Sequence, residues 1–379
     1  MTEKLYYSDA YIKEFYAQIL SVEALDDRFD VILDKTTFFP EEGGQSSDTG
    51  FIGDVRVESV YEKDGVIHHL TACDPGIGQV LCKIDFDIRF EKMQCHTAEH
   101  ILCGIIHRLF GLANVGFHLS DYEVVFDVDG VLTKEQIDRV EQLANEAVYE
   151  NIEVNCYFPD RQELVSTDYR SKLDLSDGVR LVKIGDVDIC ACCAPHVTHT
   201  GEIGVIKIID FMKHRGGTRI TMVAGRRALI DYRARYENIK RISGMLSAPQ
   251  LEAADILETY ISDSESSRAA LKQARLRIAE LEAEKIQHIN GSAVFYLQHF
   301  QVPELIAFSN IANKKVAGIT VALSGCDGDY KYVISSLTVD LKSKAKEINA
   351  ALSGRGGGRS EMIQGSFSAS LEQIKKHFE

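Results

Sequence analysis

His96-Thr97-Ala98-Glu99-His100 and Cys192-Cys193-Ala194-Pro195-His196 read as two halves of one metal site. In each, two ligand-type side chains stand four positions apart, a spacing that puts them on one helix face one turn apart. Neutral imidazole and cysteine thiolate are the ligands that Zn²⁺ prefers, and two such pairs complete a tetrahedron around one ion per chain. Either half alone recurs by chance, whereas the pair is far more specific. Four protein ligands suit a closed structural site. Three features favour a working one: the ligands come from distant segments, Glu99 stands beside the first pair, and a Gly-Gly-Gln loop precedes it. Glu99 is the candidate catalytic carboxylate, although it does not occupy the H-E-x-x-H position of zinc proteases.

Working outward from the first pair, Ile101, Leu102, Ile105, Ile106 and Leu109 continue a helix from about Met93 to a stop at Gly111. Before it the chain reads as β: Phe29–Leu33, Val55–Val60, Val66–Leu70 and Val80–Asp85, separated by Gly and Asp turns. After it come a hairpin over Val115–Val128 and a helix capped by Thr133 and running to Tyr149. Strands near Ile152–Tyr157, Val179–Ile184, Gly204–Phe211 and Thr218–Val223 follow. Leu271, Ala274, Ile278 and Leu281 at 3-4-3 spacing predict a short coiled coil or helical hairpin within Leu251–Ile286; Ser264, Ser266 and Ser267 argue against one long rod. The last ninety or so residues alternate strand and helix over Ala293–Phe300, Leu305–Asn310, Lys315–Leu323 and Tyr330–Ser335. A helix near Val339–Leu352 and a tail helix at Leu371–Phe378 end the chain.

The fold class expected is α+β in four parts. Residues 1–90 form a β-barrel-like domain and 91–236 an α+β zinc-binding domain. Residues 237–290 form a helical coiled-coil connector and 291–379 a C-terminal α/β domain. At 379 residues several domains are the prior, and 45% hydrophobic with 26% charged residues is a globular composition. No stretch approaches the roughly 18 apolar residues of a membrane span, and the N-terminus lacks a signal-peptide core, so a cytoplasmic setting is expected. There the nine cysteines point to metal or thiol chemistry rather than disulfides. The net charge of −15 opposes a nucleic-acid partner, but bases crowd the window Lys207–Arg241 and a second group from Lys342 to Arg359. Localised basic surface on an acidic protein suits a polyanion; a solvated helix face is the plain alternative.

Thr36 through Gly50, His96–His100, Cys192–Val197 and Val223-Ala224-Gly225 together resemble the editing half of alanyl-tRNA synthetase. They resemble its free-standing relatives, the AlaX proteins, more closely. The run Gly356 to Gly365 resembles the DHH-associated C-terminal domain of the same synthetases, which points to the long AlaX type. The resemblance implies hydrolysis of alanine tRNA mischarged with serine or glycine, without attachment of amino acids. It implies that His96, His100, Cys192 and His196 hold Zn²⁺, and that Thr36, Gly43, Gly44 and Gln45 line the amino-acid pocket. Arg215, Arg219, Arg226 and Arg227 would face the tRNA acceptor end. Arg355, Gly357, Gly358 and Arg359 would grip tRNA elsewhere, in a region that also suits a homodimer contact.

Cys193, Ala194 and Pro195 replace the family's usual small residues between Cys and His, which leaves Cys190 and Cys193 open as alternatives to Cys192. His199 stays open beside His196, and Thr37 beside Thr36 as reader of the serine hydroxyl. A site built to bond a hydroxyl rejects an analogue lacking it by about 10⁴-fold. Two rivals remain: a non-enzymatic tRNA-binding protein braced by structural zinc, and a metallohydrolase of small esters that ignores the tRNA body.

Overall fold

The computed structural model describes residues 1–120, 123–171 and 178–378. They form two units, Met1–Ile239 and Lys240–Glu379.

In the first unit, strands Glu14–Ala24, Phe29–Leu33, Val66–Thr71, Val55–Lys63, Gly50–Ile52 and Gly78–Ile84 pair in that order. The last pairs back to the first, so the ring has no free edge. Phe15, Ala17, Ile19, Val31, Leu33, Ile67 and Cys82 fill its interior. The longest strand, Glu14–Ala24, is absent from the sequence reading. Its alternation is masked because Tyr16 and Leu20, 60% and 58% exposed, are also apolar.

Helix α1, Phe86–Phe110, begins earlier than its apolar period suggests and ends at Gly111 in the left-handed conformation, φ 68°. Every residue from Lys92 to Ile106 is buried, as in a helix at the centre of a core rather than on its surface. A four-stranded sheet, in the order Ile206–His214, Gly217–Ala224, Val124–Val128, Asn114–Leu119, forms part of this core. The tip of the expected hairpin, residues 121–122, lies outside the described residues. Helix α2, Lys134–Tyr149, starts as expected in a capping box. Thr133 accepts from Gln136 N at 3.3 Å, and Gln136 Oε1 accepts from Thr133 N at 2.8 Å. A three-stranded sheet joins Val154–Tyr157, Leu181–Ile184 and Asp188–Ala191, and the short helix α3, Arg161–Ser166, follows its first strand.

Helix α4, Gly225–Leu246, carries the chain across the boundary at Ile239. In the second unit α5, Ala253–Glu284, is one continuous helix of 32 residues that runs through Ser264, Ser266 and Ser267. This corrects the expected break. A serine costs only a few tenths of a kcal/mol in a helix, and the flanking Glu, Arg, Ala and Leu are strong formers. Leu271, Ile278 and Leu281, the expected seam, are 59%, 50% and 41% exposed within this chain. Ala279 and Ala283 are the buried positions, packed against α6, Val302–Ala312. Five strands follow in the order Ala293–Tyr296, Thr320–Cys326, Asp329–Ser335, Met362–Phe367, Gly354–Gly358, with α7, Leu341–Ala351, and α8, Leu371–Phe378. The glycine run is thus an edge strand, paired on one side with Met362–Phe367. Among the described residues no helix is long and apolar enough to cross a membrane.

Thr133→Ala removes the α2 cap and is expected to lower unfolding free energy by about 1 kcal/mol, read from the shift of the urea midpoint.

Candidate metal centre

The site is built on α1. One face of that helix presents Arg89, Lys92, His96 and His100 in sequence, spaced by three or four residues. Arg89, fully buried, is paired with the equally buried Asp48, donating from Nε at 2.9 Å and again from Nη2. Nη2 also donates to Thr37 O at 2.6 Å, and Asp48 accepts from Phe39 N at 2.7 Å. One turn on, Lys92 Nζ donates to Ser47 O at 2.7 Å and Ser46 O at 3.2 Å. These two cations clamp the loop over residues 37–48 onto α1. Between them the chain reverses in a tight turn: Glu42 N bonds Gln45 O at 3.2 Å and Gln45 N bonds Glu42 O at 3.0 Å. Gly43 and Gly44, at φ 62° and 87°, supply the two left-handed residues the turn needs. A Cβ at Gly44 would meet Phe117 O at 2.5 Å, so no other residue fits.

The clamp delivers Gln45 to the first imidazole: His96 Nδ1 donates to Gln45 Oε1 at 2.8 Å. The other two imidazoles are held in the same way. Thr97 gives its only hydroxyl proton to Met93 O at 2.8 Å, so at 3.0 Å it must accept from His196 Nδ1–H. His100 Nδ1 donates to Asp188 Oδ2 at 3.1 Å, and Arg170 grips the same carboxylate from Nε at 2.7 Å and Nη2 at 2.8 Å. Gly104 permits that contact, since a Cβ there would meet Val187 O at 2.5 Å and Asp188 Cβ at 2.7 Å. With all three Nδ1 atoms engaged, each ring has its Nε2 left to bind. Cys192 Sγ lies 3.6 Å from His96 Nε2 and 3.4 Å from His196 Nε2. One ligand atom from each of His96, His100, Cys192 and His196 lies within 4.8 Å of all the others.

The four donors do not share one protonation state: burial opposes charging of His100, but Cys190, Asp188 and Cys192 around it hold that ring well above the ordinary value. Burial is the main reason that His196 is driven down to about 3 and stays neutral. Burial opposes ionisation of Cys192, yet the facing His96 and His196 rings hold its thiol well below the ordinary value. Burial raises Cys190 to about 11 and pushes Cys193 upward as well. Of the three cysteines left open by the sequence, Cys192 alone meets all three imidazoles and favours a thiolate. Cys190 instead shares a smaller group with His100 and Asp188. Three imidazoles and one thiolate, each with an outer hydrogen-bond partner fixing its tautomer where it is a histidine, is a donor set that fits Zn²⁺.

His96, His100 and Cys192 line a recess of 1050 Å³ shared with Glu99, Gly43 and Asn114. Glu99 Oε1 accepts from Cys103 Sγ at 3.1 Å and from Asn114 Nδ2, which fixes the carboxylate beside the metal group. Gln45 stands behind His96, and its Nε2 is buried without a partner among the described residues.

Of the four expected pocket residues, Gly43 lines the recess, whereas Gly44, Gln45 and Thr36 do not. Thr36 is fully buried. His69 Nδ1 must donate to Val31 O at 3.0 Å, and burial lowers this ring to about 4, so it is neutral. Thr36 therefore donates its hydroxyl proton to His69 Nε2 at 2.9 Å, while accepting from Phe38 N at 3.1 Å. Thr37, the alternative, is buried too and donates to Ile12 O at 3.4 Å. His199 lies outside the four-donor group. Of the four arginines expected to face RNA in the basic window, three are engaged within the protein. Arg219 is bidentate to Asp127 at 2.8 Å, Arg226 meets Asp87 and Glu91, and Arg227, 6% exposed, donates to Ser120 O at 2.6 Å. Arg227 is corrected from surface contact to buried anchor. Arg215, exposed in the turn before Gly216, has no ion pair among the described residues. Arg355, Gly357, Gly358 and Arg359 are exposed along the edge strand. Sequence reasoning missed Thr97, Arg170, Asp188, Arg89 and Asp48; only Thr97, inside the H-x-x-x-H stretch, had a local signal.

Asp48→Ala leaves Arg89 buried without its counter-ion and is expected to cost about 3–5 kcal/mol of stability by urea denaturation. A cost below about 1 kcal/mol would show that the clamp is not a structural necessity.

Residues 179–223 match the family model described as the threonyl and alanyl tRNA synthetase second additional domain. The chain is 28% identical to the alanyl-tRNA editing protein AlaX-L of Pyrococcus horikoshii, over 99% of this chain and 96% of that protein. It is 33% identical to an alanine–tRNA ligase of Halobacterium salinarum over 86% of this chain but only 38% of the ligase. A solved C-Ala domain of Aquifex aeolicus alanyl-tRNA synthetase covers 24% of this chain at 20% identity, with a TM-score of 0.21. Over nearly its whole length the chain is similar to an alanyl-tRNA editing protein, and it spans less than half the length of the alanine–tRNA ligase it matches.

Proposed function

We propose that this chain is a Zn²⁺-dependent deacylase that hydrolyses the ester of alanine tRNA mischarged with serine or glycine. The observation that carries the reading is the position of the donor group: His96, His100 and Cys192 line an open recess instead of lying in a sealed core. The near full-length similarity to an alanyl-tRNA editing protein supports the substrate class. The alternative, a tRNA-binding protein braced by structural zinc, gives no reason for that opening or for a fixed carboxylate beside it.

His96, His100, Cys192 and His196 would hold the ion, which when bound supplies a positive charge against the ester carbonyl. The outer partners Gln45, Asp188 and Thr97 keep the three rings in the tautomer that presents Nε2. Glu99, held through Oε1 by Cys103 and Asn114, would accept the proton of an attacking water. The water oxygen bonds to the carbonyl carbon, the ester C–O bond breaks, and the ribose hydroxyl leaves with a proton. Gln45, fully buried behind His96, acts on the site only through the Nδ1–H that it accepts from that ring. Thr36 supports the loop from behind. Residues 1–236 would serve as the editing body and 291–379 as a tRNA-holding or dimer-forming part, in a cytoplasmic protein. Arg215, Arg355 and Arg359 are the exposed cations suited to the RNA.

Purified protein is expected to release serine from charged alanine tRNA, to lose that activity with a strong chelator, and to regain it with Zn²⁺. Cys192→Ala is expected to abolish stoichiometric zinc, and Cys190→Ala to retain it, by elemental analysis. Asp188→Asn should weaken zinc by about 10–100-fold in a competition titration. Turnover at the full rate in zinc-free protein would refute the reading.

A further inference from the structure

We infer that the part of the recess away from the metal group is a seat for the terminal nucleoside of the RNA, its base stacked on Phe158. Phe158 follows the strand Val154–Tyr157 and is 53% exposed, an unusual place for a large apolar ring on a recess wall. Its ring contact is with Tyr7, at 5.4 Å between centroids and 80° between planes, so the two rings form a corner. That corner is rigidly tied to the metal side. Tyr7 packs edge-on against Tyr6 at 4.7 Å, and Tyr6 is buried with Phe39 and Ala194. The Arg180 guanidinium lies 5.4 Å from the Tyr7 ring centre and donates to Cys192 O at 3.0 Å and Ala194 O at 2.8 Å. Tyr7 and Arg180 thus link Phe158 to the backbone of the candidate thiolate ligand, and all four residues line the same recess.

The chemistry favours a base attached to an anion. The exposed face of an aromatic ring accepts any base, because stacking needs only a π-face. Arg180 is 6% exposed, its Nε has no partner, and no carboxylate pairs with it among the described residues. A lone guanidinium in the wall suits the phosphate-bearing end of a nucleic acid and disfavours a cationic ligand. Since every tRNA carries its amino acid on a terminal adenosine, an ester placed at His96, His100 and Cys192 leaves that adenine to be seated in the same recess. This inference takes its substrate from the hydrolytic reading, but the stacking seat can be tested apart from it.

The test is binding of a non-hydrolysable 3′-seryl-amino adenosine to the zinc-loaded protein, by calorimetry, in the wild type, Phe158→Ala and Phe158→Trp. Zinc content confirms that each variant is folded. Phe158→Ala is expected to weaken binding by about 10–100-fold, and Phe158→Trp to restore it. The KM for seryl-tRNA should move in parallel, whereas turnover of serine methyl ester, which has no base, should not change. Equal affinity in all three proteins, or no binding to the wild type, overturns the nucleoside seat. Phe158-dependent binding without any release of serine from tRNA supports the seat and refutes the hydrolytic reading alone.

Discussion

A guanidinium buried against a carboxylate, Arg89 with Asp48, is the contact on which the rest of this site depends. Both groups have left water, and such a pair is tolerable only when the remaining donors and acceptors are satisfied. Here they are: Arg89 reaches Thr37 O and Ala10 O, and Asp48 takes the Phe39 amide. The result is a loop held at two points to the helix that carries His96 and His100. Removing either partner would leave a charge stranded in the core, so the loop cannot drift without unfolding.

The metal centre repeats the same logic on a smaller scale. Three imidazoles and a thiol are poor core residues unless each polar atom finds a partner. Gln45, Thr97 and Asp188 each take one Nδ1–H, and the four remaining donor atoms are left facing one another. A cluster of lone pairs converging in a low-dielectric interior is unfavourable without a proton or a cation among them. The geometry is therefore a statement about what the site binds as well as about how it is held. Burial disfavours the Asp188 carboxylate, but the hydrogen bond from His100 and the Arg170 guanidinium beyond it together hold it ionised.

How much of this could be read from the residues alone differs from element to element. The helix of His96, its stop at Gly111 and the Thr133 cap were legible because they rest on local periodicity and capping. The strand Glu14–Ala24 was not, because its outward Tyr16 and Leu20 hide the alternation. Helix α5 misled for the opposite reason: Leu271, Ile278 and Leu281 keep a coiled-coil spacing, yet Ala279 and Ala283 make the packed face. In the basic window the pairing was not legible, because charge counts ignore it: Arg219, Arg226 and Arg227 meet carboxylates from α1 or from a neighbouring strand.

The sequence by itself determined the His96–His100 helix face and the Gly-Gly turn, which are local patterns with local causes; Cys192 and His196 lie in an irregular segment, where the expected helical spacing does not apply. Their convergence was the tertiary structure's decision. It alone selected Cys192 among three neighbouring cysteines, placed Thr36 behind the recess, and supplied Asp188, Arg170 and Asp48 from remote strands and loops. Those choices depend on which backbones lie within hydrogen-bond reach of α1. Such reach is a property of packed layers, exemplified by the missing side chain at Gly104, and no spacing along the chain encodes it.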